Sequence, residues 1–177
     1  MKITGLLTDN AVLAELLGLE SLSPLMPAEN QQEENTGLGR IGRYRSPLGT
    51  EEFLRRLFQV LQLETVNIAG AMPEQITTVA VCGGSGSDLA PVAYARGADV
   101  YLTAEVKHAM AVWAKETGFA VIDGTHYATE KPATTQLAKK LGQAAAEGGW
   151  EIDIKLTETE VPPFVSVHTF ISENTQP

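Results

Sequence analysis

The 177-residue chain has a single cysteine, Cys82, few basic residues and no long apolar run. One cysteine excludes an internal disulfide framework and makes a reducing cytoplasm the simplest location. Lys and Arg number 13 against 22 Asp and Glu, giving a formal net charge of −9. This charge argues against nucleic-acid binding, because the long-range field repels phosphates. No stretch approaches the roughly 20 apolar residues of a membrane-spanning helix, so we expect no membrane association.

The rest of the composition is that of an ordinary folded protein. Hydrophobic residues make up 44 % of the chain and charged residues 20 %, which excludes a disordered chain. The length favours one domain. We expect a single α/β domain over residues 1–177, with a helix and a polar loop at 1–36, a core at 37–171 and a tail at 172–177.

Short apolar strands alternate with helical segments, a pattern typical of βαβ units and of a sheet covered by helices. Thr50 is expected to cap a helix that reaches Leu61, and Thr129 to cap one that ends near Gly148. Residues 23–36 contain two prolines and a polar tract and predict an exposed loop. The other predicted helices cover 9–19, 88–96 and 105–116, and the predicted strands cover 65–68, 76–82, 99–103, 119–123, 150–156 and 161–170.

Three loops at the carboxyl ends of predicted strands contain the candidate functional residues, since ligands of such sheets bind there. The first, 83–88, is rich in glycine and precedes a helix, where backbone N–H groups can hold an anion. It lacks the third glycine of a dinucleotide-binding turn, because Leu89 stands in that place, and it lacks the Lys-Ser/Thr of a phosphate-binding loop. A tight strand-to-helix turn is the simpler interpretation, and nucleotide binding is the lesser alternative.

The other two loops carry histidine and carboxylate side chains. His126 lies four residues before Glu130, and at that spacing the two can bind one divalent metal ion. The same spacing also suits a capping contact or a surface pair, and zinc-type centres need three or four ligands. That pair belongs to the loop 123–130, and in the loop 103–108 Glu105 opens a predicted helix and His108 follows one turn later. Taken alone, that pair suits a helix cap beside an exposed histidine.

Four motifs, in this order, are similar to those of one known family. They are Gly37-Leu38-Gly39-Arg40-Ile41-Gly42-Arg43, Val79-Ala80-Val81-Cys82-Gly83-Gly84-Ser85-Gly86, Ala98-Asp99-Val100-Tyr101-Leu102-Thr103-Ala104-Glu105 and Asp123-Gly124-Thr125-His126-Tyr127-Ala128-Thr129-Glu130. Together they resemble the NIF-three-like dinuclear-metal-centre hexameric family, the GTP cyclohydrolase I type 2 homologues. The resemblance extends from about Thr8 to about Val167.

The resemblance implies a cytoplasmic α/β protein that assembles as a ring-shaped homo-hexamer around paired metal ions. It implies that His126 and Glu130 are metal ligands and that Thr103, Glu105 and His108 border the site. Zinc, manganese, iron and nickel all suit a histidine and a carboxylate. The resemblance implies neither a substrate nor a catalytic residue.

The chain also departs from the family pattern. The family's N-terminal portion, with its early histidine pair and central aspartate ligand, is not found in these residues. Ala104 replaces a glycine, and His168 and Thr169 replace the usual ending. We therefore expect a metal-binding protein that resembles a metal-dependent hydrolase but has reduced or lost activity. The alternative is a non-catalytic oligomeric scaffold that binds a protein partner.

Overall fold

The computed structural model describes residues 9–28, 35–157 and 159–164. Its helices are α1 (Asp9–Leu16), α2 (Thr50–Leu61), α3 (Ala90–Ala95), α4 (His108–Thr117) and α5 (His126–Gly148), with a 3-10 turn at Ser87–Leu89 before α3. Its strands are β1 (Glu20–Pro27), β2 (Gly37–Gly49), β3 (Asn67–Ala69), β4 (Gln75–Ser85), β5 (Val100–Ala104) and β6 (Ala120–Asp123).

The strands form one six-stranded sheet in the order β1-β2-β4-β5-β6-β3. Strands β4, β5 and β6 are parallel to one another. The outer pairings, β1 with β2, β2 with β4 and β3 with β6, are antiparallel. The expected βαβ-type arrangement is therefore confirmed at the centre of the sheet, and antiparallel strands extend it on both sides.

Side chains that alternate along the central strands divide the core between the two faces of the sheet. On one face, Val79 and Val81 of β4 pack with residues of α1, α2 and α5. On the other face, Ala80 and Cys82 pack with residues of α3 and α4. The sheet is thus covered by helices on both sides, as the alternating pattern predicted.

The predicted loop at 23–36 is wrong where it overlaps β1. Residues 23–27 belong to this strand, and Leu25 within it is fully buried. Its two prolines are tolerated because β1 is an edge strand and pairs on one side only. Residues 29–34, which hold most of the polar tract, lie outside the described residues.

The predicted terminal strands are also wrong in the part that the structure describes. Residues 150–157 and 161–164 form no strand, and most of their apolar side chains are exposed, as in Trp150 and Phe164. Their apolar alternation suggested strands, but no neighbouring strand in the described part of the chain supplies the hydrogen bonds. The remainder of the predicted second strand, 165–170, lies outside the described residues.

Two predicted helix caps are displaced. Gly49 occupies the N-cap position of α2, and the hydroxyl of Thr50 instead donates to the carbonyl of Pro73. Helix α5 begins at His126, earlier than predicted, because the hydroxyl of Thr125 accepts a hydrogen bond from the amide of Ala128. Thr129 lies inside the first turns of α5 and is fully buried.

Candidate metal site

Three side chains meet where β5 and β6 end and α5 begins. Nδ1 of His126 lies 2.7 Å from Oε1 of Glu105, and Nε2 of the same ring lies 3.2 Å from Oε1 of Glu130. All three side chains are about half exposed, so a small ligand can reach them from solvent. The first contact joins two of the three candidate loops, and the second lies within α5.

The early start of α5 places His126 and Glu130 on one helical face. Residues four apart in a helix are neighbours on its surface, and the side chains project from successive turns. The sequence predicted Thr129 as the cap of this helix, which would have left His126 outside it. The structure brings the pair together because Thr125 caps the helix one residue before the histidine.

Glu105 does not open a helix, which corrects the predicted helix over 105–116. Helix α4 begins only at His108, and Glu105 has a φ of 53°, in the left-handed region that few residues other than glycine adopt. The amide of the next residue, Val106, donates to Oδ2 of Asp123 at 2.9 Å. This bond holds the chain in a turn and directs the Glu105 side chain to the imidazole.

The two carboxylates shift the proton affinities at the site. The hydrogen bond with His126 is the main reason why the pKa of Glu105 lies below its ordinary value, and the hydroxyl of Ser85 adds to the effect. The same bond to Glu105 raises the pKa of His126, and the negative charge of Glu130 adds to it. Both ring nitrogens face carboxylate oxygens, so these surroundings favour the positively charged ring that carries a proton on each nitrogen.

Gly84 lies directly beneath the pair. Its φ is +67°, and a Cβ atom there would lie 2.5 Å from Oε1 of Glu130 and 3.3 Å from Nε2 of His126. Only glycine fits this position without displacing the two side chains. The glycine-rich turn is therefore shaped for the close approach of α5.

The amides of that turn are already hydrogen-bonded to side chains. The amide of Gly83 donates to Oδ1 of Asn10 at 2.6 Å, that of Gly84 to Oγ1 of Thr129 at 3.1 Å and that of Gly86 to Oγ1 of Thr103 at 3.1 Å. These three amides therefore have no free N–H group to donate to a phosphate. The bonds favour the tight-turn interpretation over nucleotide binding.

Thr103 and His108 occupy different positions relative to the pair. Thr103 is fully buried and bonds to the glycine-rich turn, so it shapes the floor of the site without touching His126. His108 is exposed at the start of α4, and the hydrogen bonds and ion pairs of the described residues do not join it to the site. Glu105 is thus the one member of the loop 103–108 that contacts the predicted ligand pair.

Sequence reasoning missed Asp123, Asn10 and the cap at Thr125. Asp123 and Thr125 stand in the fourth motif but had no assigned role. Asn10 is distant in sequence, and its contact with Gly83 depends on how α1 packs against β4.

A family model described as Duf34/NIF3 (NGG1p interacting factor 3) matches residues 7–163, most of the chain. The chain belongs to the Duf34/NIF3 family. The resemblance seen in the four motifs is thereby confirmed.

Curated proteins are also similar to the chain over part of their own length. A "GTP cyclohydrolase 1 type 2 homolog" of Streptomyces coelicolor is 31% identical over 157 residues, which is 87% of this chain and 55% of that protein. The chain spans about half the length of the curated relatives it matches.

No helix among the described residues is both long enough and apolar enough to cross a membrane.

Solved structures show the same fold at lower identity. A hypothetical protein of Staphylococcus aureus superposes with a TM-score of 0.80 at 22% identity, over 92% of this chain and 65% of that one. A Bacillus cereus protein related to NIF3 gives a TM-score of 0.79 at 18% identity, over 90% and 70% of the two chains. The mixed sheet with helices on both faces is thus the fold of NIF3-related proteins.

Proposed function

We propose that this Duf34/NIF3 chain binds a divalent metal ion through Nε2 of His126 and a carboxylate oxygen of Glu130. The observation that carries the proposal is that these two atoms face each other at 3.2 Å while the other ring nitrogen is held by Glu105. Two atoms that share a tetrahedral ion at about 2.1 Å lie about 3.4 Å apart, so the existing separation suits a common ligand.

Glu105 fits the role of a carboxylate that orients a metal-binding histidine. Histidine ligands commonly donate their second N–H to a carboxylate, which fixes the tautomer and leaves the other nitrogen free for the ion. Glu105 accepts from Nδ1, on the side of the ring away from Glu130. It therefore supports the pair and is not proposed as a third ligand.

A cation at this position replaces a proton. A neutral Nε2 lone pair facing the Glu130 carboxylate is repulsive, and either a proton or a metal ion relieves that repulsion. Metal ligation needs the deprotonated nitrogen, so binding releases protons. Zinc, manganese, iron and nickel are all compatible with the nitrogen and oxygen donors.

The donor set is that of a partial centre. Within residues 9–28, 35–157 and 159–164, no group of three histidine, cysteine or acidic side chains is arranged to hold a metal ion. A bound ion would supply Lewis-acid chemistry, but two-metal hydrolysis needs a second ion to stabilise the other oxygen. We therefore propose that this chain acting alone has reduced or no hydrolase activity. From the family resemblance we also propose that it assembles as a homo-hexamer in the cytoplasm.

Metal titration with matched variants tests this proposal. If a metal ion binds the folded state, zinc or manganese at 100 times its dissociation constant raises the free energy of unfolding by about 2.7 kcal/mol. His126→Ala and Glu130→Gln should abolish that gain. His108→Ala, which removes an exposed histidine outside the site, should retain it. Equal stabilisation of the wild type and His126→Ala would refute the assignment.

A further inference from the structure

Asp123 connects the two loops that carry the His126–Glu105 contact. It is the last residue of β6 and is half-buried, and its two carboxylate oxygens bind different parts of the chain. Oδ2 accepts the amide of Val106 at 2.9 Å, and Oδ1 accepts the amide of Thr125 at 3.1 Å. One amide follows Glu105, and the other precedes His126.

Both loops have an unfavourable backbone at the point where Asp123 binds them. Glu105 has a φ of 53° and Thr125 a φ of 61°. Each such conformation is unfavourable outside glycine and persists only where surrounding contacts enforce it. A carboxylate that takes one amide from each loop supplies such contacts.

The two turns are also what brings the side chains together. The Glu105 turn directs its carboxylate to Nδ1, and the Thr125 turn starts α5 so that the imidazole projects above Gly84. Ser87 gives the first loop a second support, because its buried hydroxyl accepts the amide of Lys107 at 3.0 Å. Asp123 differs from Ser87 in binding both loops with one side chain.

We infer that Asp123 is a positioning residue that sets the orientation of His126. It does so by holding the Glu105 turn and the Thr125 turn in fixed positions relative to each other. It does not contact the proposed ion and acts through the 2.7 Å contact between Glu105 and Nδ1. The inference deepens the proposed function, since the ring orientation it sets leaves Nε2 facing Glu130.

The chain offers a matched control in Asp99. This aspartate is also half-buried beside a strand, and its Oδ2 accepts the amides of Thr77 and Thr78 at 2.8 Å each. It lies at the beginning of β5, whereas the site lies at the end of that strand. Asp99→Asn therefore makes the same chemical change and removes the same charge away from the site, while the asparagine oxygen can still accept both amides.

The experiment compares Asp123→Asn with Asp99→Asn in the full chain. An asparagine has one acceptor oxygen and presents an NH2 group to the second amide, so it cannot hold both loops. Nitrogen-15 NMR of the histidine rings, at a pH where they are neutral and without metal, reports the His126 tautomer. We expect the Nδ1–H form in the wild type and in Asp99→Asn, and a mixed population in Asp123→Asn.

Zinc titration gives a second result for the same variants. Loss of a residue that orients a ligand costs about 10–100-fold in metal affinity, and we expect a loss of that size for Asp123→Asn alone. An unchanged tautomer together with an unchanged zinc affinity in Asp123→Asn would overturn the inference. If the wild type binds no zinc, the proposed function fails, while the metal-free tautomer comparison still decides the role of Asp123.

Hydrogen exchange in the wild type covers the case in which Asp123→Asn does not fold. The amides of Val106 and Thr125 lie in surface loops, and they should exchange slowly because Asp123 holds them. Exchange at the rate of an unstructured peptide at both amides would contradict the inference without any variant.

Discussion

At the scale of single residues, the site depends on the absence of a side chain at Gly84 as much as on the side chains that form it. Gly84 lies under Glu130 and His126, in a left-handed conformation and with no room for a Cβ atom. The charged pair can rest on the turn only because nothing projects from it. The turn therefore contributes to the site through its backbone shape at Gly84, in addition to the Ser85 hydroxyl beside Glu105.

We predict that Gly84→Ala weakens metal binding and stability together. The methyl group would meet Oε1 of Glu130 at 2.5 Å and would have to displace it. Gly97→Ala is the matched control, because Gly97 also has a positive φ, +75°, but faces open space. Gly97→Ala should cost only the backbone penalty of about 1–2 kcal/mol, measured by urea unfolding.

The two glycine variants should differ in zinc affinity when they are titrated with zinc. Gly97→Ala should bind zinc with the wild-type affinity, whereas Gly84→Ala should lose at least about tenfold, the scale of misplaced ligands. If both variants bind zinc like the wild type, Gly84 does not constrain the ligand pair.

At the scale of secondary-structure elements, a hydrogen bond joins α1 to the glycine-rich turn of the site. Oδ1 of Asn10 accepts the amide of Gly83 at 2.6 Å, next to the turn under the ligand pair. The rest of α1 is held by apolar contacts, with Leu13 and Ala14 fully buried against the sheet. Packing thus fixes the helix, and Asn10 links it to the glycine-rich turn.

We predict that Asn10→Ala destabilises the fold by about 1–3 kcal/mol, because the Gly83 amide loses its acceptor in a partly buried place. Glu15→Ala, at an exposed position of the same helix, should change the free energy of unfolding by less than about 0.5 kcal/mol. Chemical denaturation of both variants measures the difference. Equal values for the two would show that the Asn10 bond adds nothing.

The elements also show what the sequence could and could not predict. The parallel strands β4, β5 and β6 were predicted within a few residues, because buried apolar runs bounded by glycine or polar residues are a strong local signal. Helix α5 was misplaced at its start because Thr125 and Thr129 are both good caps, and only the loop conformation decides between them. The tail strands were wrong in their described part because alternation predicts a strand without saying whether another strand pairs with it.

The site was predictable in part for the same reason. His126 and Glu130 could be paired from their spacing. The contact of Glu105 with His126 depends on a backbone turn that brings together residues 21 positions apart. That turn is set by Asp123, and single-sequence patterns do not report such long-range hydrogen bonds.

At the scale of the whole molecule, several buried groups have to remain neutral for the fold to persist. Burial raises the pKa of Tyr101 and that of Cys82. Burial also raises the pKa of Tyr44 from 10.0 to about 12, and the phenol of Tyr44 donates to the carbonyl of Leu17 at 3.0 Å. The folded state holds these protons at pH values where the unfolded chain has lost them.

We predict a loss of stability at alkaline pH, of which Tyr44 supplies a measurable share. Its contribution is fully present below about pH 10, where both states are protonated, and is lost as the pH rises through about 12. Between these values the wild type should lose on the order of 2 kcal/mol more than Tyr44→Phe. Tyr94→Phe, at an exposed tyrosine, should keep the wild-type slope, and urea unfolding across this pH range measures all three.

The central claim, that His126 and Glu130 bind a divalent ion, is tested most directly by crystallography of the zinc-soaked protein. Diffraction data collected at the zinc absorption edge locate the ion without reference to any assumed site. The account predicts an anomalous peak about 2.0–2.2 Å from Nε2 of His126 and from a Glu130 oxygen, with Glu105 still bonded to Nδ1. A peak on the Nδ1 side between His126 and Glu105, or no peak at His126, would contradict it.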